Sequence, residues 1–255
     1  MSGGLRFTVL GSGTAKPDPA RGPTGFLLQA HGASVLIDGG SGTLHRLARV
    51  GVDAVELDAG VYSHRHVDHS GDFVPLLFAM CVPPKRTRPY PVFAGEGFDA
   101  FHLGLREVYG KWIRPPGGVP LTTLPLDGPG LALLPGGVTL RTLPANHSAG
   151  ALHLRFELGP HAIVFSGDTG PSDNLVELAA GADLLVCECA GSDAEPIGGH
   201  LTPSAVRDLV AEAQPEEVWL THFYPHVDVH AAVERVAEAG VPVRRAADGD
   251  VWAVG

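Results

Sequence analysis

The sequence predicts an α/β fold, an αββα sandwich of two mixed β-sheets with helices on the outer faces. Short apolar runs rich in β-forming residues recur along the 255 residues, and glycine or proline bounds most of them. A group of such runs is followed by runs that alternate with helical patterns, and this order occurs twice. Two sheets packed face to face with the helices outside satisfy this order in one domain, residues 1–255.

The elements follow from local pattern. In the strand predicted at 151–158, apolar residues alternate with polar ones, so His153 is expected on the solvent side of a half-buried strand. The predicted strands lie at 5–11, 25–30, 34–40, 59–63, 90–95, 138–143, 151–158, 161–168, 183–190, 217–223 and 251–255. The predicted helices lie at 41–51, 70–80, 171–181, 202–213 and 228–240.

Composition and charge limit the partners of the chain. The 28 acidic and 18 basic residues give a formal charge of −10, whereas domains that bind nucleic acid through phosphates usually have a basic face. The basic stretch Lys85, Arg86 and Arg88 is expected to be a solvated loop, with guidance of a phosphate substrate as the alternative. Three cysteines without a disulfide-like or CxxC pattern indicate a reduced, cytoplasmic location. Neither a secretory signal nor a membrane-spanning segment is expected.

Residues 62–72, YSHRHVDHSGD, contain a cluster of side chains of the metal-ligand type. Imidazole nitrogen and carboxylate oxygen are common ligands of zinc and related divalent ions. Because alternate residues of an extended segment point the same way, His64 and His66 can hold one ion at the end of a strand. Asp68 and His69 follow as the chain turns into a helix, point elsewhere and can serve a second ion nearby.

Three distant residues can supply further ligands. His147, Asp168 and His222 each follow an apolar strand, and Gly167 and Gly170 allow tight turns around the aspartate. Each of the two histidines taken alone is more often structural, but together with the first cluster the three residues complete two sites. The sequence therefore predicts two divalent ions bound where strand ends meet.

The order of these motifs resembles the metallo-β-lactamase fold superfamily: HxHxDH, a lone histidine, SGDT, and a histidine after an apolar strand. The resemblance covers nearly the whole chain, from VLGSGTAKPDPARGPTG to LTHFYP. Zinc is the metal it implies, and manganese or iron are alternatives because oxygen and imidazole ligands do not exclude them. By this resemblance the first metal binds His64, His66 and His147, the second binds Asp68, His69 and His222, and Asp168 bridges them.

Within the superfamily the chain is most similar to the ribonuclease Z-like branch, which comprises tRNA 3′-end endonucleases and phosphodiesterase relatives. The motifs are LGSGTAKPDPARGPTGFLL, HVDHSGDFVPLLFAM, SGDTGPSDNL and GGHLTP. The resemblance implies that His200 donates a proton or stabilises charge at the phosphate, and that Glu188 orients His200. Cys187 departs from the family, which usually has histidine there. His66 replaces the glutamate of di-iron redox members, and Asp168 the usual cysteine of true β-lactamases, so neither activity is expected.

The tRNA endonucleases of this branch insert a long arm, which grips tRNA, between the lone histidine and the GDTG segment. Here residues 148–167 hold two predicted strands and a tight turn at Gly159 and Pro160, without room for an arm. A tRNA substrate is therefore not expected. The expected partner is a small phosphodiester or nucleotide, with no membrane partner, and the resemblance leaves a homodimer open.

The expected activity is hydrolysis of a phosphodiester by a hydroxide that bridges the two metal ions. Asp68 would be both metal ligand and general base, and His200 would act on the leaving side. The same seven ligands serve lactonases and thioesterases, so an ester hydrolase acting on carbonyl carbon is the alternative. A non-catalytic metal-binding module is the third candidate, disfavoured because all seven ligands are present.

Overall fold

The structure, a computed structural model, describes residues 4–255 of the chain. Two seven-stranded mixed β-sheets pack face to face, and α-helices cover both outer faces. The predicted αββα sandwich is thereby confirmed. Residues 1–3, which the predicted domain includes, lie outside the described residues. No helix among the residues described is long and apolar enough to cross a membrane.

The elements are numbered in chain order. The first sheet contains β1 (Leu5–Gly11), β2 (Gly25–Ala30), β3 (Ala33–Ile37), β4 (Ala59–Tyr62), β5 (Val92–Gly95), β6 (Leu121–Leu124) and β14 (Val251–Val254). The second contains β7 (Gly130–Leu133), β8 (Thr139–Pro144), β9 (Leu152–Leu158), β10 (His161–Phe165), β11 (Leu184–Glu188), β12 (Val218–Thr221) and β13 (Val243–Arg245). The helices are α1 (Thr43–Arg49), α2 (Val67–Ser70), α3 (Phe73–Cys81), α4 (Phe98–Tyr109), α5 (Asp173–Ala179), α6 (Pro203–Ala213) and α7 (Val229–Ala237).

The two sheets share one design. The first has the order β14-β1-β2-β3-β4-β5-β6, and β3 to β6 run parallel. The second has the order β13-β12-β11-β10-β9-β8-β7, and β10 to β13 run parallel. The remaining neighbours pair antiparallel. Because the carboxyl ends of parallel strands meet at one edge of a sheet, the loops after these strands can build a shared site.

Three buried apolar layers hold the sandwich together. The central layer lies between the sheets, where Phe26 of one sheet and Phe165 of the other have ring centroids 4.9 Å apart. A second layer lies under α5, α6 and α7, and a third under α1, α3 and α4. The strand ends are therefore fixed from both sides, and side chains placed on them are held in register.

Five elements go beyond the sequence prediction: the one-turn helix α2 and four elements that each have a weak apolar pattern. The strands β6, β7 and β13 lie at sheet edges, span only three or four residues and have mostly half-buried or exposed positions. The helix α4 buries only Phe98 and His102 among its 12 residues. Edge strands and shallowly packed helices need few apolar residues, so their sequences carry little periodicity.

The prediction for His153 is wrong. Its side chain is fully buried, because α5 packs across the outer face of β9. The Nδ1 atom of His153 lies 2.6 Å from the carbonyl oxygen of Ser166, and Nε2 lies 3.0 Å from the hydroxyl oxygen of Ser172. The alternation in the sequence identified the two faces of the strand, but the second face is covered by a helix rather than by water.

The basic stretch at Lys85, Arg86 and Arg88 is tied into the fold rather than solvated throughout. Arg86 is 6% exposed and donates hydrogen bonds to the backbone oxygens of Val55 and Pro89. Arg88 forms an ion pair of 2.7 Å with Asp58. The guanidinium groups of both arginines are therefore engaged within the chain, which leaves them poorly suited to guide a substrate.

Candidate metal centre

The predicted ligand residues converge from the ends of separate strands. His64 follows β4, His147 follows β8, Asp168 follows β10 and His222 follows β12. The three residues after the second sheet's strands thus meet the loop that follows β4 of the first sheet. The seven predicted ligands fall into two groups at this edge, and a third group, Asp168, His200 and His222, shares one residue with each of them.

The first group contains His64, His66, His147 and Asp168, whose candidate ligand atoms all lie within 4.8 Å of one another. The Nδ1 atom of His66 lies 3.0 Å from Nε2 of His64 and 3.2 Å from Nε2 of His147. Asp168 Oδ2 lies 3.6 Å from His64 Nε2 and 3.9 Å from His147 Nε2. Three imidazoles and a carboxylate around one point form a donor set that suits zinc.

The second group contains Asp68, His69 and His222. The Nε2 atom of His222 lies 3.9 Å from Asp68 Oδ2 and 3.3 Å from Asp168 Oδ2. The Nε2 atom of His69 lies 3.2 Å from Asp168 Oδ1. The two oxygens of Asp168 therefore face both groups, an arrangement in which one carboxylate can contact two ions.

The donor atoms are better placed to coordinate a divalent cation than to form hydrogen bonds with one another. The Nε2 atoms of His69 and His222 are buried and, among residues 4–255, accept or donate no aligned hydrogen bond despite the nearby Asp168 carboxylate. Buried polar atoms are rarely left without a partner unless a ligand or an ion completes them. A cation shared by these imidazoles and the carboxylate accounts for their close but misaligned approach.

Burial keeps most of these imidazoles neutral, which metal binding requires. Burial lowers the pKa of His64 and the pKa of His147. It also lowers the pKa of His222, to about 4. Burial also opposes the charge on Asp168, but the His222 and His69 rings hold the pKa of that carboxyl well below its usual range. His69 differs from these three rings: burial opposes its charge, but the Asp168 and Asp38 carboxylates raise the pKa of His69 well above its usual range.

A second set of residues orients the rings through their other nitrogen, and the sequence patterns above do not identify it. Asp38 Oδ2 accepts from His69 Nδ1 at 2.7 Å, and also from the hydroxyl of Ser63 at 2.6 Å. Such partners fix the ring orientation and tautomer of metal-binding histidines. The remaining contacts are Ser63 Oγ with His64 Nδ1 at 3.1 Å, the Gly199 oxygen with His147 Nδ1 at 2.9 Å, and Thr24 Oγ1 with His222 Nδ1 at 3.1 Å.

Two residues of the candidate metal centre have strained backbone conformations. Asp38 (φ 51°) and His222 (φ 60°) both adopt the left-handed region, which is uncommon for residues other than glycine. Such strain persists where the surrounding structure over-determines the backbone, and it concentrates at functional sites. Asp38 directly follows the buried strand β3, as the predicted ligands follow theirs, so the same sequence signal was present at this position.

His200 and Glu188 form a buried pair beside the two groups. Nδ1 of His200 lies 2.9 Å from Glu188 Oε1, and the ring of His200 stacks on that of His222 with centroids 5.8 Å apart. Burial raises the pKa of Glu188 to about 7. Burial opposes the charge on the His200 ring, but the Glu188 carboxylate favours that charge more strongly, so the pKa of His200 is raised. One proton is therefore shared within this pair near neutral pH.

The glycine-rich loop at 11–25 lies against the centre. The backbone N–H of His222 donates to the Ser12 carbonyl oxygen at 3.0 Å, and Thr24 contacts the His222 ring. Arg21 of this loop forms an ion pair of 2.8 Å with Asp18. This loop thus supports the position of His222.

An αββα sandwich with a His/Asp cluster of the metal-binding type at one edge defines a metallo-hydrolase. The family model of the beta-lactamase superfamily domain matches residues 33–223. The chain belongs to the metallo-β-lactamase fold superfamily, and it has ribonuclease Z-like relatives. The resemblance found in the sequence motifs is confirmed.

Individual relatives match most of the chain. The "Probable metallo-hydrolase YhfI" of Bacillus subtilis (strain 168) is 29% identical over 257 residues, covering 97% of this chain and 99% of that protein. A "Ribonuclease Z" of Mycobacterium bovis (strain BCG / Pasteur 1173P2) is 34% identical over 200 residues, covering 71% of this chain and 69% of that protein. The crystal structure of YhfI has a TM-score of 0.86 at 25% identity, covering 98% of this chain and 100% of that one. A diphosphatase from the PhnP family shares the fold, with a TM-score of 0.73 at 20% identity, and the match covers 98% of this chain and 97% of that one.

Proposed function

We propose that this protein is a metal-dependent phosphodiesterase that acts on a small phosphodiester or nucleotide. Its domain would span residues 1–255, and two divalent ions, zinc in the first place, would complete the site. The ligands would be His64, His66 and His147 for one ion, Asp68, His69 and His222 for the other, and Asp168 for both. A cytoplasmic location and a homodimer belong to the same proposal.

The observation that carries the proposal is the His200–Glu188 pair beside the ligand groups. The carboxylate of Glu188 accepts hydrogen bonds from the backbone N–H groups of Thr169 and Ala190, at 2.8 and 3.0 Å, as well as contacting His200. It is therefore rigid and keeps the free nitrogen of His200 in one direction. Metal ligation alone makes no use of an oriented, protonatable imidazole beside the ligands, whereas departure of an alkoxide from phosphorus is accelerated when such a group protonates it.

Bound divalent ions would lower the pKa of a water molecule and neutralise charge on the phosphate. Asp68, which is half-buried at the edge of the centre, would accept the proton of the attacking water. His200 would donate a proton to the leaving oxygen, the Glu188 carboxylate would orient the ring and favour its charged form before the transfer, and solvent would then reprotonate the ring. The buried Asp38 and Ser63 would keep the ligand rings still while the proton moves.

The relatives favour phosphate chemistry over attack on carbonyl carbon. A ribonuclease Z cleaves phosphodiesters by its name, and the PhnP-family neighbour is called a diphosphatase. A tRNA substrate is not proposed, because residues 148–167 contain only β9, β10 and the short connections around them and carry no arm. The net charge of −10 also disfavours a large polyanion.

The proposal is tested by comparing bis(p-nitrophenyl) phosphate, cyclic nucleotides and dinucleotides with an acyl-homoserine lactone and a β-lactam, on protein of measured metal content. Turnover of a phosphodiester is expected. Turnover of the lactone alone would replace the proposal with the ester hydrolase, and bound metal without turnover of any ester would support a non-catalytic module.

A second arm tests the role of His200. The variant His200→Ala is expected to keep its metal and, on a dinucleotide whose leaving group is an alkoxide, to lose roughly 10²- to 10⁴-fold in kcat, the usual contribution of a general acid. The control is His230→Ala, because His230 is exposed on α7 and pairs with Glu234 rather than with a residue of the centre. Normal hydrolysis by the His200 variant would remove the acid from the proposed mechanism.

A further inference from the structure

A small cavity lies at the far end of α4, outside the metal centre. Its volume is about 130 Å³, and its walls include His102, Arg106, Ile113, Arg114, Pro115 and Val119. The first residue of α4 follows Gly97, whose carbonyl oxygen accepts a hydrogen bond from Arg65 in the metal-ligand loop. Because α4 spans 12 residues, or about 18 Å, the opposite end lies well away from that loop.

The charge of this cavity is unusual for the chain. Arg106 and Arg114 both line it, no carboxylate does, and neither arginine forms an ion pair within residues 4–255. Most other arginines of this acidic protein are paired. Two unpaired guanidinium groups around one concave space form a region of positive potential that attracts an anion.

Buried polar atoms point to a ligand in the same space. His102 is 6% exposed, and its Nε2 atom has no hydrogen-bond partner among the described residues. The Nε atom of Arg106, one helical turn further along the same face, is also buried without a partner there. Buried groups of this kind are normally satisfied, so the side chains that line the cavity have hydrogen-bonding capacity that the described residues do not use.

We propose that this cavity is a binding site for a phosphoryl group, held by Arg106, Arg114 and His102. The planar guanidinium forks match the oxygens of a phosphate, and the His102 ring supplies a further donor. The volume corresponds to about four water molecules at roughly 30 Å³ each, enough for one tetrahedral oxyanion. It is below the roughly 300 Å³ at which pockets begin to enclose a whole organic ligand.

An adjoining cavity indicates how a larger phosphorylated molecule would fit. This second space has a volume of about 380 Å³, shares Arg114 with the first and is lined by Lys85, Lys111 and Trp112. The Trp112 side chain is 58% exposed. A phosphate in the small cavity would thus leave the rest of a small molecule against an aromatic face and two ammonium groups.

The site can be tested by nuclear magnetic resonance on the full-length, metal-loaded protein with isotopically labelled histidine. Inorganic phosphate is titrated at constant ionic strength, with chloride as the reference anion, and the variant His102→Gln identifies the His102 signals. Saturable shifts of these signals by phosphate but not by chloride are expected. Phosphate that moves only the signals of the metal-centre histidines, or no histidine signal at all, would overturn the site.

Matched variants separate this site from phosphate binding at the metals. Arg106→Gln and Arg114→Gln should each weaken the phosphate affinity read from His102 roughly tenfold or more, because each removes a charge-assisted hydrogen bond. Arg245→Gln, which removes an exposed positive charge elsewhere, should leave it unchanged. Unchanged affinity in both cavity variants, with folding verified by circular dichroism, contradicts the proposal even if the enzyme proves to be a phosphodiesterase.

A final arm distinguishes free phosphate from a phosphate ester as the occupant. Phenyl phosphate replaces inorganic phosphate in the titration, with wild-type protein and with Trp112→Ala. Tighter binding of the ester that Trp112→Ala abolishes supports a phosphorylated small molecule across both cavities. Equal binding of the two ligands supports the free anion in the small cavity alone.

Discussion

Asp38 and His69 are joined by a hydrogen bond of 2.7 Å and are both fully buried. Asp38 also accepts from the backbone N–H and the hydroxyl of Ser63, and Ser63 in turn contacts His64. One carboxylate thus sets the orientation of a ring in each ligand group. Asp38 is a positioning residue of the proposed metal centre, because it acts through His69 and Ser63 and is not one of the proposed ligands.

The variant Asp38→Asn should weaken the affinity for divalent metal by roughly 10- to 100-fold, the usual effect of losing such an orienting partner. The asparagine is close in shape, so the fold should persist, but the His69 ring loses its anionic acceptor. Competition against a chelating dye measures the affinity. Asp127→Asn is the control, because Asp127 is exposed. An unchanged affinity for the ion would assign Asp38 to the fold alone.

Much of the fold was predictable because its strands are short apolar runs with clear boundaries. The parallel strands β10, β11 and β12 are buried on both faces and therefore stand out as continuous apolar sequence. Edge strands such as β7, which has two exposed leucines, lack a continuous apolar sequence and cannot be recognised in this way. Local patterns report burial, and elements that bury little remain hidden from them.

The candidate site was largely predictable for a different reason: side chains that bind metal are conspicuous when they follow strands. Asp38 carries the same signal, an aspartate directly after an apolar strand, yet its role depends on its contact with His69, 31 residues away in the chain. His153 shows a second limit of prediction from sequence. A periodic pattern separates the two faces of a strand, but it does not show whether a helix or solvent covers the second face. Long-range contacts of this kind follow from the fold and not from the local sequence.

Metal removal should lower the thermal stability of the protein. An ion bound only by the folded state stabilises it by RT ln(1 + [M]/Kd), about 4 kcal/mol when the free ion is at roughly 1,000 times Kd. Differential scanning calorimetry with and without a chelator measures the change, and added zinc should restore the melting temperature. Asp168→Ala, which lacks the shared carboxylate, should lose metal and activity together and show little response to the chelator. A melting temperature that the chelator leaves unaltered would argue against bound metal.

Glu188→Gln should shift the pH dependence of kcat/KM. The Glu188 carboxylate raises the pKa of His200, so its neutral replacement lowers that pKa. If His200 acts as an acid, activity falls as pH rises through this pKa, and the variant's alkaline limb should move by about one pH unit or more towards acid. Glu212→Gln, an exposed site on α6, should leave the profile in place. A uniform loss of rate at every pH would instead indicate a structural role for Glu188.

His153 should make the protein sensitive to mild acid. Burial lowers the pKa of His153 from 6.5 to about 4. Above pH 6.5 the ring is neutral in the folded and unfolded states and adds no pH dependence. Below it, the unfolded chain binds a proton that the folded state excludes, so the free energy of unfolding falls until the pH reaches about 4, where the folded ring also titrates.

The measurement compares wild-type protein with His153→Asn by urea unfolding as a function of pH, both with chelator so that metal loss cancels. The asparagine amide can still donate to the Ser166 carbonyl oxygen, but it does not titrate. The wild type should lose on the order of 2 kcal/mol more than the variant between about pH 8 and about pH 5. His230→Asn, at an exposed histidine, should keep the wild-type slope. Parallel slopes for wild type and His153→Asn would mean that the folded state admits a proton at this ring, which its burial under α5 argues against.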